Sequence, residues 1–347
     1  MSFRLIEKDC ETLKCITEYR ILTVTQIAAM FHKNRQVVRR RLRELEEKGL
    51  IEVASYEFGR GRGRPEKSIS LTKYGVDLLK DKGLLCHEIP YEKVLVDSSF
   101  CINHQLLLNW FRIHLNQIGR VLPRMTVKFL AHNSPFLPKG SNDRIFITDY
   151  SPVPDSGEQG VKFTPDGVFG TCDSIKKYTC LFFLEVDCGT ETLASPKRDM
   201  SDIRQKIINY QWYFESERYK RYEEVFKRNL LGFRLLFLTN TYGRLVALCE
   251  LTREMFPTNY VWLTECSRLF PEGVSAKIWA VGGDLHGPQG SILGSLCCEA
   301  PLSYLCISKF SRTQAYIFSV TPCGRSSMIS RVRPYLPLES TRLRINE

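Results

Sequence analysis

The run Leu181-Phe-Phe-Leu-Glu185-Val-Asp187 constrains the fold of this chain more than any other stretch. A strand this apolar is normally buried on both faces of a sheet. Side chains alternate along a strand, so Glu185 and Asp187 point one way while Phe182, Leu184 and Val186 point the other. Carboxylates in such a place need compensation from a cation or a lysine. Asp166, in Phe163-Thr-Pro-Asp166, and Lys206, nineteen residues after Asp187, are the candidates to meet them. Two readings follow. Asp166, Glu185 and Asp187 form a divalent-cation site with Lys206 beside it, or a lysine or arginine simply satisfies the buried acids.

The whole chain bears on the choice. Its 347 residues suggest two domains, or one with a smaller module attached. A formal net charge of +11 favours a polyanionic partner, nucleic acid first and an anionic membrane surface second. No stretch approaches the ~18 apolar residues of a spanning helix, and Met-Ser-Phe-Arg-Leu-Ile-Glu-Lys lacks a signal-peptide core. A cytoplasmic protein with no membrane partner is the expectation. The 13 cysteines contain no Cys-x-x-Cys pair, which argues against a zinc site and for reduced, small core residues. The 6 histidines are scattered, and His104 and His114, inside an apolar helical stretch, are assigned to packing.

Residues 1–86 show an ordered set of elements. Leu5 to Glu18 is helical, with Leu5, Ile6, Leu13 and Ile16 on a common face. Thr23 caps a second helix through Phe31, whose Ala28-Ala29 pair allows close packing. Asn34 caps a third, Gln36 to Lys48, closed by Gly49. Val38, Leu42 and Leu45 hold that helix inward, which leaves Arg35, Arg39, Arg40 and Arg43 facing out. Leu50 to Tyr56 and Lys67 to Leu71 read as strands around Gly59-Arg-Gly-Arg-Gly-Arg64-Pro65, and Arg60, Arg62 and Arg64 suit phosphates or a narrow minor groove. A final helix follows Leu71-Thr-Lys-Tyr-Gly75. A charged helix is usually a solvated face and a Gly-Arg run a loop, but this succession matches a winged helix-turn-helix that binds double-stranded DNA.

Residues 87–120 read as a linker around Pro90 plus a connecting helix from Phe100 to Gln117. Within 121–284, strand and loop give way to a hairpin from Val161 through Pro165-Asp166-Gly to Asp187. A helix from Ser201 to Arg218 carries Lys206 and, one turn on, Tyr210. Leu235 to Leu238 and Val261 to Leu263 add strands between helical stretches 218–227 and 244–255. The class is α/β. Residues 285–347 form a basic extension of unknown role.

On Thr164-Pro-Asp166, Phe183-Leu-Glu-Val-Asp187-Cys-Gly-Thr-Glu191, Lys206-Ile-Ile-Asn-Tyr210 and Val261-Trp-Leu-Thr264, the second part resembles the PD-(D/E)xK nuclease fold, a mixed-sheet domain. With the N-terminal module, residues 15 to 280 resemble the replication-relaxation family of plasmid proteins and the related MobC-type relaxases. That resemblance implies plasmid DNA as partner, nicking assisted by Mg²⁺ or Mn²⁺, and Asp166, Glu185, Asp187 and Lys206 as catalytic residues. It also suggests contact with plasmid replication or transfer proteins and leaves a homodimer open. The usual lysine lies two residues after the second acid, and here that position is Asp187; Lys206 would be a relocated lysine. A non-catalytic DNA-binding regulator or replication accessory with a degenerate nuclease fold is the alternative. No His-x-His group supports histidine-metal relaxase chemistry, and Gly59-x-Gly-x-Gly63 lacks the Lys-Ser of a phosphate loop.

Overall fold

A computed structural model describes residues 4–55, 66–96, 101–137, 146–152, 160–175, 178–195, 202–255 and 257–294. The glycine-arginine run and residues 295–347 lie outside them, as do Arg60, Arg62 and Arg64.

The N-terminal unit is built by its caps and its apolar stripes. Helices α1 (Glu7–Tyr19), α2 (Val24–Phe31) and α3 (Arg35–Glu47) pack around Leu13, Ile16, Ile27, Val38, Leu42 and Leu45. The Thr23 hydroxyl accepts the Gln26 amide, while the Gln26 side chain accepts the Thr23 amide, so two otherwise orphaned donors at the start of α2 are satisfied. Asn34 Oδ1 accepts the Gln36 amide at 2.8 Å, which starts α3 where expected. Strands β1 (Leu22–Thr23), β2 (Ile51–Ala54) and β3 (Ser68–Leu71) form a sheet in the order β1-β3-β2, and α4 (Lys73–Asp81) closes the unit. Ile6 departs from expectation. It sits before α1 rather than on its inner face and is 47% exposed.

The segment expected to be a linker is part of the packing. Tyr91–Val94 forms a 3-10 turn with Val94 fully buried, the Tyr91 hydroxyl donates to Leu71 O, and Arg20 donates to Lys93 O. The next helix, α5 (Ile102–Val121), runs four residues beyond its expected end and is buried on nearly every side from Gln105 to Ile118. It is enclosed because the N-terminal unit covers one side and the large sheet the other. Side-chain amides on both α5 and α2 tie the two parts together. Asn109 Nδ2 donates to Tyr19 O and Ile21 O, and Gln26 Nε2 donates to Leu106 O.

The sheet has six strands in the order β11-β10-β9-β8-β7-β4. These are β4 (Met125–Ala131), β7 (Gly167–Asp173), β8 (Tyr178–Asp187), β9 (Phe233–Thr239), β10 (Val261–Glu265) and β11 (Ala280–Val281). Strands β8, β9 and β10 are parallel, and β4, β7 and β11 join antiparallel to their neighbours, so the sheet is mixed. A small pair, β5 (Asp149–Ser151) and β6 (Val161–Phe163), stands beside it. The parallel strands need crossovers, and helices α6 (Ile203–Glu215), α7 (Tyr222–Phe226) and α8 (Tyr242–Glu254) supply them.

Alternation along β8 divides the core. Phe182, Leu184 and Val186 pack with α5 and α9 (Cys266–Glu272), while Leu181 and Phe183 pack with α6 and α8. Aromatic rings fill both layers: Phe169 stacks on Phe182 at 4.8 Å and Phe183 meets Phe233 edge-on at 4.6 Å. Each such side chain contributes roughly 1.5–3 kcal/mol on leaving water. Ile292 and Leu293, from the stretch with no assigned role, also join the core on the α5 side. The cysteine expectation is corrected in part. Of the nine described cysteines, all free, only Cys249 and Cys266 are buried. Among the described residues no helix is long and apolar enough to cross a membrane.

Candidate functional site

Glu185 and Asp187 emerge at the end of β8 on the α6 and α8 side, 6% and 5% exposed. The two acids then diverge in what they meet. The α6 helix begins at Asp202, whose carboxylate accepts the Gln205 amide at 2.7 Å and the Ser195 amide at 2.7 Å. From that cap α6 runs on to bring Lys206 and Tyr210 over Glu185. Lys206 Nζ lies 3.2 Å from Glu185 Oε2, and the Tyr210 hydroxyl donates to Glu185 Oε1 at 2.6 Å. Lys206 also donates to Glu191 Oε1 at 3.0 Å.

Asp166 reaches the same cluster from the turn before β7. Pairing of β7 with β8 ends at Gly167 and Leu184, and beyond it the Val186 amide donates to Asp166 Oδ2 at 2.8 Å. Gly167 leaves room for the Phe129 ring, which would have to shift for a Cβ, since that atom would lie 2.2 Å from it. His104, on the first turn of α5, places Nε2 3.0 Å from the same Oδ2. His132, just after β4, holds the Asp166 carbonyl through Nδ1 at 3.1 Å.

The electrostatics follow from burial and these neighbours. Desolvation raises the Glu185 carboxyl and the Asp166 charge raises it further, to about 7, against the opposing pull of Lys206 and Tyr210. Burial also acts to raise Asp166, but His104 overcomes it and holds the group at about 2. His104 is in turn raised: burial opposes its charge, and the Asp166 carboxylate prevails. Lys206 is raised well above the usual lysine range, since Glu185 and Glu191 outweigh its desolvation. Two carboxylates of opposite proton affinity thus act on one another, with a firmly charged lysine beside them.

Asp187 has different partners from the other two expected carboxylates. Its Oδ2 pairs with Arg244 Nε, from the first turn of α8, and its Oδ1 accepts the Gly189 amide at 2.8 Å. Arg244 also donates to Glu191 O at 2.6 Å. Among the described residues, no group of three histidine, cysteine, aspartate or glutamate side chains is arranged to hold a metal ion. The structure therefore brings Asp166, Glu185 and Lys206 together and turns Asp187 toward Arg244.

Sequence reasoning missed His104, His132 and Arg244. The packing assignment fails for His104 and holds for His114, which is buried against Trp110 and Phe270 with its pKa pushed down to about 4 by desolvation. Helical spacing alone cannot separate them, although His104 lies near the end of α5, where a side chain can reach a neighbouring element. On α3, Arg39, Arg40 and Arg43 are exposed as expected. Arg35 is half-buried instead, with Nη1 3.4 Å from Thr25 Oγ1.

A family model described as replication-relaxation matches residues 13–228. The chain belongs to the replication-relaxation family. The match is shorter at its C-terminal end than the resemblance read from the motifs. It contains His104, His132, Asp166, Glu185, Glu191, Lys206 and Tyr210, and it excludes Arg244. Membership suggests a role in plasmid replication or mobilisation. Comparisons with curated proteins and with solved structures return no match.

Proposed function

We propose that this replication-relaxation protein binds double-stranded DNA through a winged helix-turn-helix at residues 1–86 and nicks it at a PD-(D/E)xK-like site in residues 121–284. The observation that carries the reading is Lys206, which reaches Glu185 from α6 and so answers the substitution of Asp187 at the usual lysine position. Asp166, Glu185 and Lys206 then supply the acid, acid and lysine of that fold.

The residues fit Mg²⁺ or Mn²⁺ as a pair rather than a triplet. The buried carboxylates of Asp166 and Glu185 repel one another, and a cation would relieve that repulsion. Mg²⁺ commonly takes one or two carboxylates and completes its shell with water and phosphate oxygens. When bound, such an ion polarises a phosphate and acidifies water. The protein's own groups do the rest. Tyr210 and Lys206 fix the two Glu185 oxygens, and His104 and the Val186 amide fix Asp166 Oδ2. Lys206 stands ready to meet negative charge developing on a phosphate. Arg39, Arg40 and Arg43 on α3 would contact the duplex, with Arg35 behind them.

Incubation of the full chain with supercoiled plasmid in Mn²⁺, Mg²⁺ or EDTA tests this. Open-circular product is expected with either metal and not with EDTA, and Glu185→Ala should abolish it. Product formed by that variant at the wild-type rate would remove the site. A second reading is non-catalytic DNA binding on a degenerate nuclease fold. It is favoured by the internal pairing of all three acids: Asp166 with His104, Glu185 with Lys206, Asp187 with Arg244. Duplex retardation with no cleavage under either metal would establish that reading instead.

A further inference from the structure

We infer that His104 is a positioning residue for Asp166, and that α5 ties the pose of this acid to the seating of the N-terminal unit. The inference rests on the proposed site only for its catalytic consequence; the contacts themselves stand without it. Asp166 lies in a turn, outside any strand, so the ladder does not hold its side chain. Among the described residues two hydrogen bonds do, both on Oδ2, from His104 Nε2 at 3.0 Å and the Val186 amide at 2.8 Å, while His132 Nδ1 stands 3.9 Å from Oδ1. The imidazole thus shares with the Val186 amide the holding of this carboxylate at the end of β8.

The helix that carries His104 is fastened to the N-terminal unit immediately beyond it. Gln26, on α2, donates to Leu106 O at 2.9 Å, and Asn109 donates to Tyr19 O at 3.1 Å and Ile21 O at 2.6 Å. One turn further, Arg112 pairs with Glu18 of α1. All three fastenings lie within eight residues of His104 on one rigid helix. A shift of α1 and α2 on the rest of the molecule therefore moves His104, and with it the bond that holds Asp166 Oδ2 near the Val186 amide. Other groups facing the pair are His132, Glu185 and Lys206, none of which belongs to α5.

Hydrogen exchange of the Val186 amide in the full chain reads the Asp166 pose directly. His104→Ala should speed that exchange about tenfold, as expected when one charge-assisted bond is lost. His104→Gln, which can still donate from a similar position, should restore most of the protection. Asn109→Ala, or Arg112→Met if the first does not fold, should also speed it although neither residue touches Asp166. Wild-type exchange in His104→Ala would overturn the positioning role. Accelerated exchange in His104→Ala with wild-type exchange in the α5 variants would overturn the link to the N-terminal unit.

Where the plasmid is nicked, His104→Ala should lower kcat about tenfold with KM for DNA unchanged, the usual scale for a residue that orients a ligand-bearing group. His104→Gln should recover it, which a general loss of stability would not allow. An equal fall in kcat for both variants counts against positioning. If wild-type protein does not nick at all, the proposed function fails, while the exchange comparison still decides this inference.

Discussion

Arginines on α3 and carboxylates at the end of β8 are both charge clusters on regular elements, yet they are held in opposite ways. Arg39, Arg40 and Arg43 stand in water on a helix whose inner face is Val38, Leu42 and Leu45. Arg41, between them, turns inward and pairs with Asp9 of α1. The acids of β8 are sealed in the core, and each has a cation supplied by another element. Exposed charge costs little and remains available to a polyanion, whereas buried charge must be compensated within the chain before anything else can use it.

The contrast breaks most visibly at Arg244. Among the described residues Arg244→Met leaves buried Asp187 the Gly189 amide alone, and a loss of about 3 kcal/mol is expected in urea unfolding at neutral pH. An unchanged midpoint and slope would mean that Asp187 needs no partner, and the distinction between the clusters would lapse.

His114 sharpens the comparison from the other side, because it is buried with no charge to meet it among the described residues, and desolvation keeps it neutral. Its folded pKa, about 4, lies below the ordinary 6.5, so the unfolded chain binds more protons between those values. Stability from this group is therefore full above about 6.5 and is lost as pH falls toward 4, by up to about 3 kcal/mol. Glu185 works in the opposite sense: its folded pKa is raised, so its contribution declines as pH rises from the ordinary 4.5 toward about 7. Urea unfolding of wild type, His114→Leu and Glu185→Gln from pH 4 to 7 separates them. The first variant should flatten the acid limb, and the second should remove the opposing slope. Parallel curves for all three would refute both assignments.

The smallest stability effect belongs to α3. Arg40→Ala and Arg43→Ala should change unfolding free energy by no more than about 0.5 kcal/mol. Each should nonetheless weaken duplex binding and reduce the salt slope by about one for every lost phosphate contact. Unaltered slopes would take these arginines off the DNA.

Much of this was legible in the chain. Thr23, Asn34 and the stripe Val38, Leu42, Leu45 act within a few residues, and the structure returns them as caps and core. The hairpin leading to Glu185 and the helix bearing Lys206 and Tyr210 also follow the pattern, since their periodicities are local. The register of α6 on β8 is not local. That Lys206 meets Glu185 and not Asp187 was decided by how α6 and α8 lie on β8, with Arg244 of α8 57 residues from Asp187.

Alternation along β8 determined, from sequence alone, that Glu185 and Asp187 share a face and would be buried there. Periodicity states which way a side chain points but not what stands opposite, because the opposing groups come from elements distant along the chain. Only the tertiary structure could divide the two acids, giving Glu185 to Lys206 and Tyr210, Asp187 to Arg244, and Asp166 to a histidine on the helix that carries the N-terminal unit.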